Sequence, residues 1–388
     1  MLPLSHITVV ALEQAIAAPF ATRQLADLGA RVIKIERPEV GDFSRHYDTA
    51  SHGLCSHFVW VNRSKESLAL DVKSVEGKEI LEKLISRADV FIQNLAPGAV
   101  ERLGFASERL RSDYPKLIIC NISGYGQEGP YREKKAYDLL IQAETGVLSV
   151  TGTEETPSKA GIPVADLAGG MYAFAGIQTA LLMRAQTGQG TVVNVSLFDS
   201  LCEWMGFPAY YSLGDARLPR AGASHAAIAP YGPFPTGDGR VILFSIQNQP
   251  EWERFCAQVL GEPEMAFHPD FASNADRIVN RPSLHEVIEK VFAGLSLSQA
   301  VQRLDEAQIA NGEVRDVREF WQHPQLTERG RVTTVESQAR TPLPALYPAA
   351  EIAGVTPRFD PIPAVGAHTA QILAELGINS APPHAEGG

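Results

Sequence analysis

The sequence predicts an α/β protein built around a mostly parallel sheet, and the pattern of its first 125 residues carries that prediction. Short apolar runs alternate with amphipathic helical patterns, as in ITVVALE, PFATRQLADLGA and RVIKIE. Such repetition is typical of βαβ units, in which helices cover both faces of a parallel sheet. The length of 388 residues exceeds one ordinary core, so we expect a large domain that carries a smaller one.

The next elements follow the same alternation. Strands are predicted at ESLALDV, DVFIQN and LIICNIS, with the helix SVEGKEILEKLISRA between the first two. The turn-rich segment GYGQEGPYR precedes a helix from Ala136 to Gly146. LAGGMYAFAGIQTALLMRA then predicts a long apolar helix. Its many Gly and Ala residues indicate that other elements approach it closely.

Beyond this helix the pattern is less regular. Periodicity fades between Trp204 and Ala229, which indicates a connecting segment. YGPFPTGDGRVILFSIQ then predicts a strand pair, and helices continue to about residue 310. We interpret 230–310 as the smaller domain.

Composition excludes several classes of protein. The net charge is −11 and no Lys/Arg block stands out, so we expect no nucleic-acid partner. No run approaches 18 uncharged apolar residues, so we expect no membrane span. The cysteines are widely separated and form no CxxC pair, which argues against a disulfide framework and favours a reducing, cytoplasmic location; they are Cys55, Cys120, Cys202 and Cys256.

Two candidate motifs are better interpreted as ordinary loops. GYGQEG matches a dinucleotide-binding pattern, but Pro130 and a polar run follow where the helix should begin. The cluster RHYDTASHGLCSH contains His46, Asp48, His52 and His57, yet the spacing matches no metal-binding pattern. We therefore expect no metal.

Asp166 lies between an apolar run and the start of the long Gly/Ala-rich helix, and two interpretations remain open. An aspartate there commonly caps the helix by accepting backbone N–H bonds. The same placement suits an ionised carboxylate that acts as a nucleophile. The local pattern does not distinguish them.

Ordered motifs along nearly the whole chain resemble the class III CoA-transferases, a family that also contains the α-methylacyl-CoA racemases. The motifs are ALEQAIAAPFATRQLADLGARVIKIERPEVGD, NRSKESLALDVKSVEGKEIL, ADVFIQNLAPGAVERLGF, AYDLLIQAETGVLSVTG, VADLAGGMYAFAGIQTALL and TGQGTVVNVSLFDS. The resemblance implies an interlocked, ring-like homodimer in which each subunit has a Rossmann-like large domain and a small α/β domain. The expected division is a large domain at 1–203, a linker at 204–229, the small domain at 230–310, and a linker with return to the large domain at 311–388.

The resemblance also assigns site residues. It places the catalytic aspartate on Asp166 and implies Gln14 and Tyr137 beside the active site. Gly169, Gly170 or the Gln14 loop would supply oxyanion donors. Further candidates for the lining of the active site are Arg45, His225, Gln247 and Asn248. Arg220 and Tyr231 are secondary candidates. The positions implied to bind CoA are Ala15, Ile16, Ala17, Arg37, Leu70, Lys73, Asn94, Leu95, Arg102 and Lys135.

The activity implied is transfer of CoA from succinyl-CoA to a small dicarboxylic acid such as itaconate, malate or citramalate, through an aspartyl-CoA thioester on Asp166. CoA thioesters would be substrates, and no permanently bound cofactor is implied. One alternative is a 2-methylacyl-CoA racemase, but Tyr137 replaces the histidine of racemases, and a phenol is a poor base at neutral pH. The other is a non-catalytic CoA-binding protein.

Overall fold

Six parallel strands form the main sheet of the protein, described here from a computed structural model that covers residues 1–214 and 217–378. The strands are β1 (Thr8–Leu12), β2 (Arg31–Glu36), β3 (Lys65–Ala69), β4 (Val90–Gln93), β5 (Ile118–Ser123) and β6 (Val192–Ser196). Their order in the sheet is β3-β2-β1-β4-β5-β6. The predicted parallel α/β fold is confirmed. The order reverses between β1 and β4, and open sheets of this type bind ligands outside the carboxyl ends of the strands at that point.

Helices connect and cover these strands. They are α1 (Ala17–Asp27), α2 (Ser56–Val61), α3 (Val75–Ile85), α4 (Ala99–Arg102), α5 (Ser107–Asp113), α6 (Asp138–Glu144), α8 (Val164–Thr187) and α9 (Leu197–Trp204). Two further short helices, α7 (Val147–Val150) and α10 (Gly206–Tyr211), lie wholly or mostly in the second compact unit described below. The residues of β1, β2 and β4 are almost all buried, as expected for strands covered on both faces. Among the described residues, no helix is long and apolar enough to cross a membrane.

The described chain divides into two compact units. The first comprises 1–146, 160–206 and the described chain from residue 324, and it contains the parallel sheet. It also holds α15 (Pro324–Thr327), the antiparallel pair β10 (Val332–Val335) and β11 (Leu343–Leu346), and α16 (Thr369–Glu375). The second comprises 147–159 and 207–323. The domain boundaries expected at 203, 229 and 310 stay a prediction.

The second unit has its own antiparallel sheet and core. Its elements are β7 (Tyr231–Pro235), β8 (Val241–Ser245), α11 (Gln249–Arg254), α12 (Asn274–Val279), α13 (Arg281–Phe292), α14 (Leu297–Glu306) and β9 (Ala310–Glu313). Fully buried aromatic rings, including Phe234, Phe244 and Phe292, stack at the centre of this core. Because aromatic residues bury large apolar areas, they dominate its stability.

Small residues allow other elements to pack closely on α8, as the sequence predicted. A Cβ atom at Gly170 would lie 2.7 Å from the carbonyl oxygen of Ala17 and 3.0 Å from the Phe20 ring. At Gly176 a Cβ atom would lie 2.7 Å from Val193 of β6. Only glycine lets the start of α1 approach α8 at this distance, because a backbone carbonyl cannot move away like a side chain.

This packing predicts that Gly170→Ala destabilises the protein. The added methyl group would meet backbone, so we expect the free energy of unfolding to fall by roughly 1–3 kcal/mol in urea denaturation. Gly206→Ala is the matched control, because a Cβ atom at this helical glycine meets nothing within 4 Å. Equal stability of the two variants would contradict the close packing inferred at Gly170.

Candidate active site

The loop between β1 and α1 is fixed at the point where the strand order reverses. The Gln14 amide donates to Asn94 Oδ1 at 2.8 Å, and Asn94 Nδ2 donates back to the Gln14 carbonyl at 2.9 Å. The Ala15 amide donates to Asp42 Oδ1 at 3.1 Å, and Ala15 has a left-handed φ of 58°. The structure therefore joins the predicted residues Gln14, Ala15 and Asn94 into one rigid loop.

Buried ion pairs support this loop. Lys34 Nζ lies 2.8 Å from Asp42 Oδ2 and 3.3 Å from Glu13 Oε1, and Lys65 Nζ lies 2.7 Å from the same Glu13 oxygen. Burial alone would raise the pKa of Glu13, but Lys65 and Lys34 outweigh it and hold that pKa below its usual range. Burial lowers the pKa of Lys65 to about 7 in spite of Glu13. We call Glu13, Lys34, Asp42 and Lys65 the buried ion network.

Arg45 belongs to an adjoining structural pair. Its Nε and Nη2 donate to the two oxygens of Glu36, each at 2.8 Å, and its guanidinium lies 3.6 Å from the centre of the Phe58 ring. Glu36 also accepts a bond from the Asp42 amide at 2.9 Å. A bidentate pair of this kind uses the edge that would bind a carboxylate. The contacts therefore give Arg45 a structural role and do not support the substrate-binding role predicted for it.

Asp166 lies in the first turn of α8 and does not cap it. The helix begins at Val164 after Pro163, so the N-cap interpretation is wrong. Asp138 supplies the cap, since its Oδ1 accepts bonds from the amides of Ala165 at 2.7 Å and of Asp166 at 3.2 Å. The carboxylate of Asp166 accepts no hydrogen bond from any described residue. Burial, and then the charge of Asp138, raise its pKa to about 7.

Asp166 lies on the face of α8 that packs against the start of α1. Residues four apart lie on one face of a helix, so Asp166 shares the face of Gly170, which packs against Ala17. Tyr47 lies within electrostatic reach: burial, and the charges of Asp42, Asp166 and Tyr137, raise its pKa to about 12. The structure thus brings Asp166 and Tyr137 together. The sequence analysis missed Tyr47 and Asp138, although Asp138 directly follows Tyr137 in the AYDLL motif.

The residues predicted to bind CoA follow the parallel strands. Arg37 comes directly after β2, Leu70 after β3, and Asn94 and Leu95 after β4, so they share the carboxyl edge of the sheet. Ile16 and Ala17 lie at the start of α1 on the same edge. All four predicted cations are exposed, namely Arg37, Lys73, Arg102 and Lys135.

The remaining predicted lining residues lie in the second unit, and their site roles stay predictions. His225 Nδ1 accepts a bond from the Ala227 amide at 3.1 Å, and its ring stacks on Tyr231 at 5.2 Å. Arg220 donates to the carbonyl of Thr153 at 2.7 Å. Two others are also engaged: Gln247 donates to Ser245 Oγ, and Asn248 caps α11.

The oxyanion donors proposed at Gly169 and Gly170 need correction. Both lie inside α8, where each amide donates to the carbonyl four residues earlier and has no bond left for a substrate. The Gln14 and Ala15 amides are also engaged. Within the described chain, the amides of Ile16 and Ala17 donate to no partner, so they are the better candidates in this loop.

One cluster has metal-ligating groups. Single ligand atoms of Asp48, Cys55 and His57 lie within 4.8 Å of one another. Asp48 accepts bonds from the Ser56 hydroxyl at 2.7 Å, the Ser56 amide at 3.0 Å and the Ala50 amide at 2.9 Å. These bonds, led by that of the hydroxyl, lower the pKa of Asp48. These bonds give Asp48 a structural role, in which it closes a turn. The expectation of no metal stays a prediction.

The raised pKa of Asp166 predicts that Asp166→Asn stabilises the protein. The native carboxyl binds more protons than the unfolded one between 3.8 and about 7, so native stability falls as pH rises through this window. In urea denaturation, the free energy of unfolding of the variant should exceed that of the native protein. The difference should be largest above about pH 7 and should shrink towards about pH 4. Bonds from Thr236 and the Leu297 amide lower the pKa of Asp238, so Asp238→Asn should show no such gain. A pH-independent difference for Asp166→Asn would contradict this.

Comparison with known proteins identifies the family. The model of CoA-transferase family III matches residues 4–369. The succinyl-CoA:glutarate CoA-transferase of Homo sapiens is 31% identical over 378 residues, which cover 96% of this chain and 86% of the human protein. The acetyl-CoA:oxalate CoA-transferase of Acetobacter aceti is 34% identical over 330 residues, which cover 84% of each chain.

A solved structure agrees with the sequence comparisons. The crystal structure of a CAIB/BAIF family protein from Brucella suis superposes with a TM-score of 0.85 at 32% identity, covering 96% of this chain and 99% of that one. The family match spans the parallel sheet, the loop after β1 and Asp166 together. The chain is therefore a member of CoA-transferase family III, and it is an enzyme that transfers CoA.

Proposed function

We propose that this enzyme transfers CoA between carboxylic acids through a covalent intermediate on Asp166. The observation that carries the proposal is a half-buried carboxylate without a hydrogen-bond partner among the described residues, on the face of α8 that packs against the start of α1. Paired carboxylates are stabilised and react poorly, whereas one deprived of donors is more basic and a better nucleophile. Tyr47 lies within electrostatic reach of both Asp166 and Tyr137.

The proposed steps balance without any further reagent. The Asp166 carboxylate attacks the thioester carbonyl and expels CoA thiolate, which forms a mixed anhydride. The thiolate then attacks the aspartyl carbonyl and releases the first acid, which leaves an aspartyl-CoA thioester. The second acid reverses both steps and restores the free carboxylate. The amides of Ile16 and Ala17 are the proposed donors to the oxyanions.

Small dicarboxylic acids are the proposed acceptors and succinyl-CoA the proposed donor. The relatives named for succinyl-CoA:glutarate and acetyl-CoA:oxalate transfer support a dicarboxylate class. Itaconate, malate, citramalate and mesaconate are the particular C4 and C5 acids suggested by the resemblance of the segments around Arg45 and His225. With Arg45 paired to Glu36, His225 remains the proposed contact for the second carboxylate.

We also propose the interlocked homodimer that the family resemblance implies. Several large apolar side chains are exposed in the single chain, including Leu182 at 68%, Phe207 at 59% and Tyr210 at 78%. Phe207, Tyr210 and Tyr211 are grouped on α10, and a group of exposed apolar side chains is typical of a protein interface, which supports association of two copies.

The covalent step predicts a detectable adduct. Incubation of the native enzyme with succinyl-CoA alone should add the mass of CoA, and hydroxylamine should remove it, because the linkage is a thioester. Asp166→Ala should form no adduct and lose transfer by at least about 1,000-fold while CoA binding persists. Asp238→Asn is the control, since it removes a carboxylate that caps α14 in the second unit and keeps Asp166. Adduct formation by the alanine variant would exclude Asp166 as the nucleophile.

The proposed acceptor class predicts a ranking of acids. With succinyl-CoA as donor, kcat/KM for glutarate, itaconate, malate and citramalate should exceed that for formate or carnitine by at least roughly tenfold, because the site pairs a second carboxylate. The assay also tests the racemase alternative, for which a 2-methylacyl-CoA would exchange its α-proton for deuterium. A monocarboxylate at the top of the ranking would refute the dicarboxylate class.

A further inference from the structure

Asp138 holds the N-terminus of α8 from the first residue of another helix, α6. Its Oδ1 accepts the amides of Ala165 and Asp166, and its Oδ2 accepts Gln142 Nε2 at 2.7 Å. Helix N-termini offer amide donors and a positive dipole that normally stabilise a nearby anion. At α8 this stabilisation goes to Asp138, although Asp166 is the acidic residue in the first turn.

We propose that Asp138 is a positioning residue for Asp166. It accepts the amide hydrogen bonds of the first turn of α8, and it places a second negative charge beside the Asp166 carboxylate. The inference rests on the proposed role of Asp166 as nucleophile. Because two amides and Gln142 bind Asp138, its negative charge is fixed in place. Asp166 is left without comparable stabilisation.

The arrangement favours the covalent intermediates over the free enzyme. Ionised Asp166 stands near a second negative charge in a half-buried site, where charges are poorly screened. Acylation makes the Asp166 side chain neutral and removes this repulsion. An interaction that is unfavourable in the ground state and relieved during reaction lowers the barrier to the reaction.

Other groups around Asp166 do not replace this effect. Asp138 is the one charged group of the described chain that shifts the pKa of Asp166, in addition to burial. The titratable side chain of Tyr47 is within electrostatic reach of Asp166, and Tyr137 is within reach of Tyr47. From α1, the nearest contacts of this face of α8 are the Ala17 carbonyl and the Phe20 ring, neither of which is charged.

The test is Asp138→Asn, which removes the charge and keeps an oxygen that can accept both amides. The rate of CoA-adduct formation from succinyl-CoA, measured by quenched mass spectrometry across pH, reports the protonation of Asp166 in the native enzyme. In the variant we expect the midpoint of the acidic limb to move to lower pH by at least about 0.5 unit. We also expect the plateau rate to fall several-fold. Asp138→Glu, which keeps the charge, should retain the native limb.

Asp238→Asn is the matched control. Asp238 also caps a helix from outside it, because its Oδ2 accepts the amide of Leu297, the first residue of α14. It lies in the second unit and does not affect the pKa of Asp166. Its substitution should leave the adduct profile unchanged, so any general effect of losing one capping charge is separated from the effect at Asp166.

The outcomes distinguish this inference from the proposed function. No adduct on the native enzyme would overturn both. A native adduct with an unmoved acidic limb in Asp138→Asn would overturn only the role of Asp138. If Asp138→Asn fails to fold, Asp138→Glu provides the test. An acidic limb whose midpoint lies about 0.5 pH unit or more below the native one would show that the charge at this position does not set the profile, and would equally overturn the role of Asp138.

Discussion

The buried ion network is the constraint on which the candidate site depends. Lys34 and Lys65 lie on adjacent strands of the sheet, and both reach Glu13 at the end of β1. Removing such charges from water costs several kcal/mol each, which their mutual pairing must offset. In return the pairs fix the loop after β1, since Asp42 binds Lys34 with one oxygen and the Ala15 amide with the other.

The protein thus contains two kinds of carboxylate, which differ in their donors. Glu13, Glu36 and Asp42 are buried, yet nearby cations, together with hydroxyl or amide donors, hold each pKa below its usual range. Asp166 has no such partner among the described residues, and burial raises its pKa instead. Paired carboxylates support the loop, whereas Asp166 is not engaged in supporting it. A perturbed carboxyl that is not part of a structural pair is the better candidate for chemistry.

Much of the fold could be predicted because each strand is a local apolar run. RVIKIE and LIICNIS contain β2 and β5 as the structure has them, and LAGGMYAFAGIQTALLMRA contains most of α8. Local pattern could not show that Lys34, inside a strand, is buried, because its partners are distant in sequence. For the same reason local pattern could not show that α8 is capped by Asp138, which lies 28 residues before Asp166. The family resemblance identified Asp166, but no local pattern showed Arg45 to be paired with Glu36.

These distant pairings explain why Asp166, the proposed nucleophile, can remain unpaired. A lone half-buried carboxylate costs stability, so it persists only where the surrounding structure is fixed by other interactions. The loop after β1 is held by Asn94 and Asp42, and the start of α8 is held by Asp138 and by close packing at Gly170. Neither side needs a bond from Asp166 to keep its position. The carboxylate is therefore free to form bonds with a substrate, because every neighbouring element is anchored by a different residue.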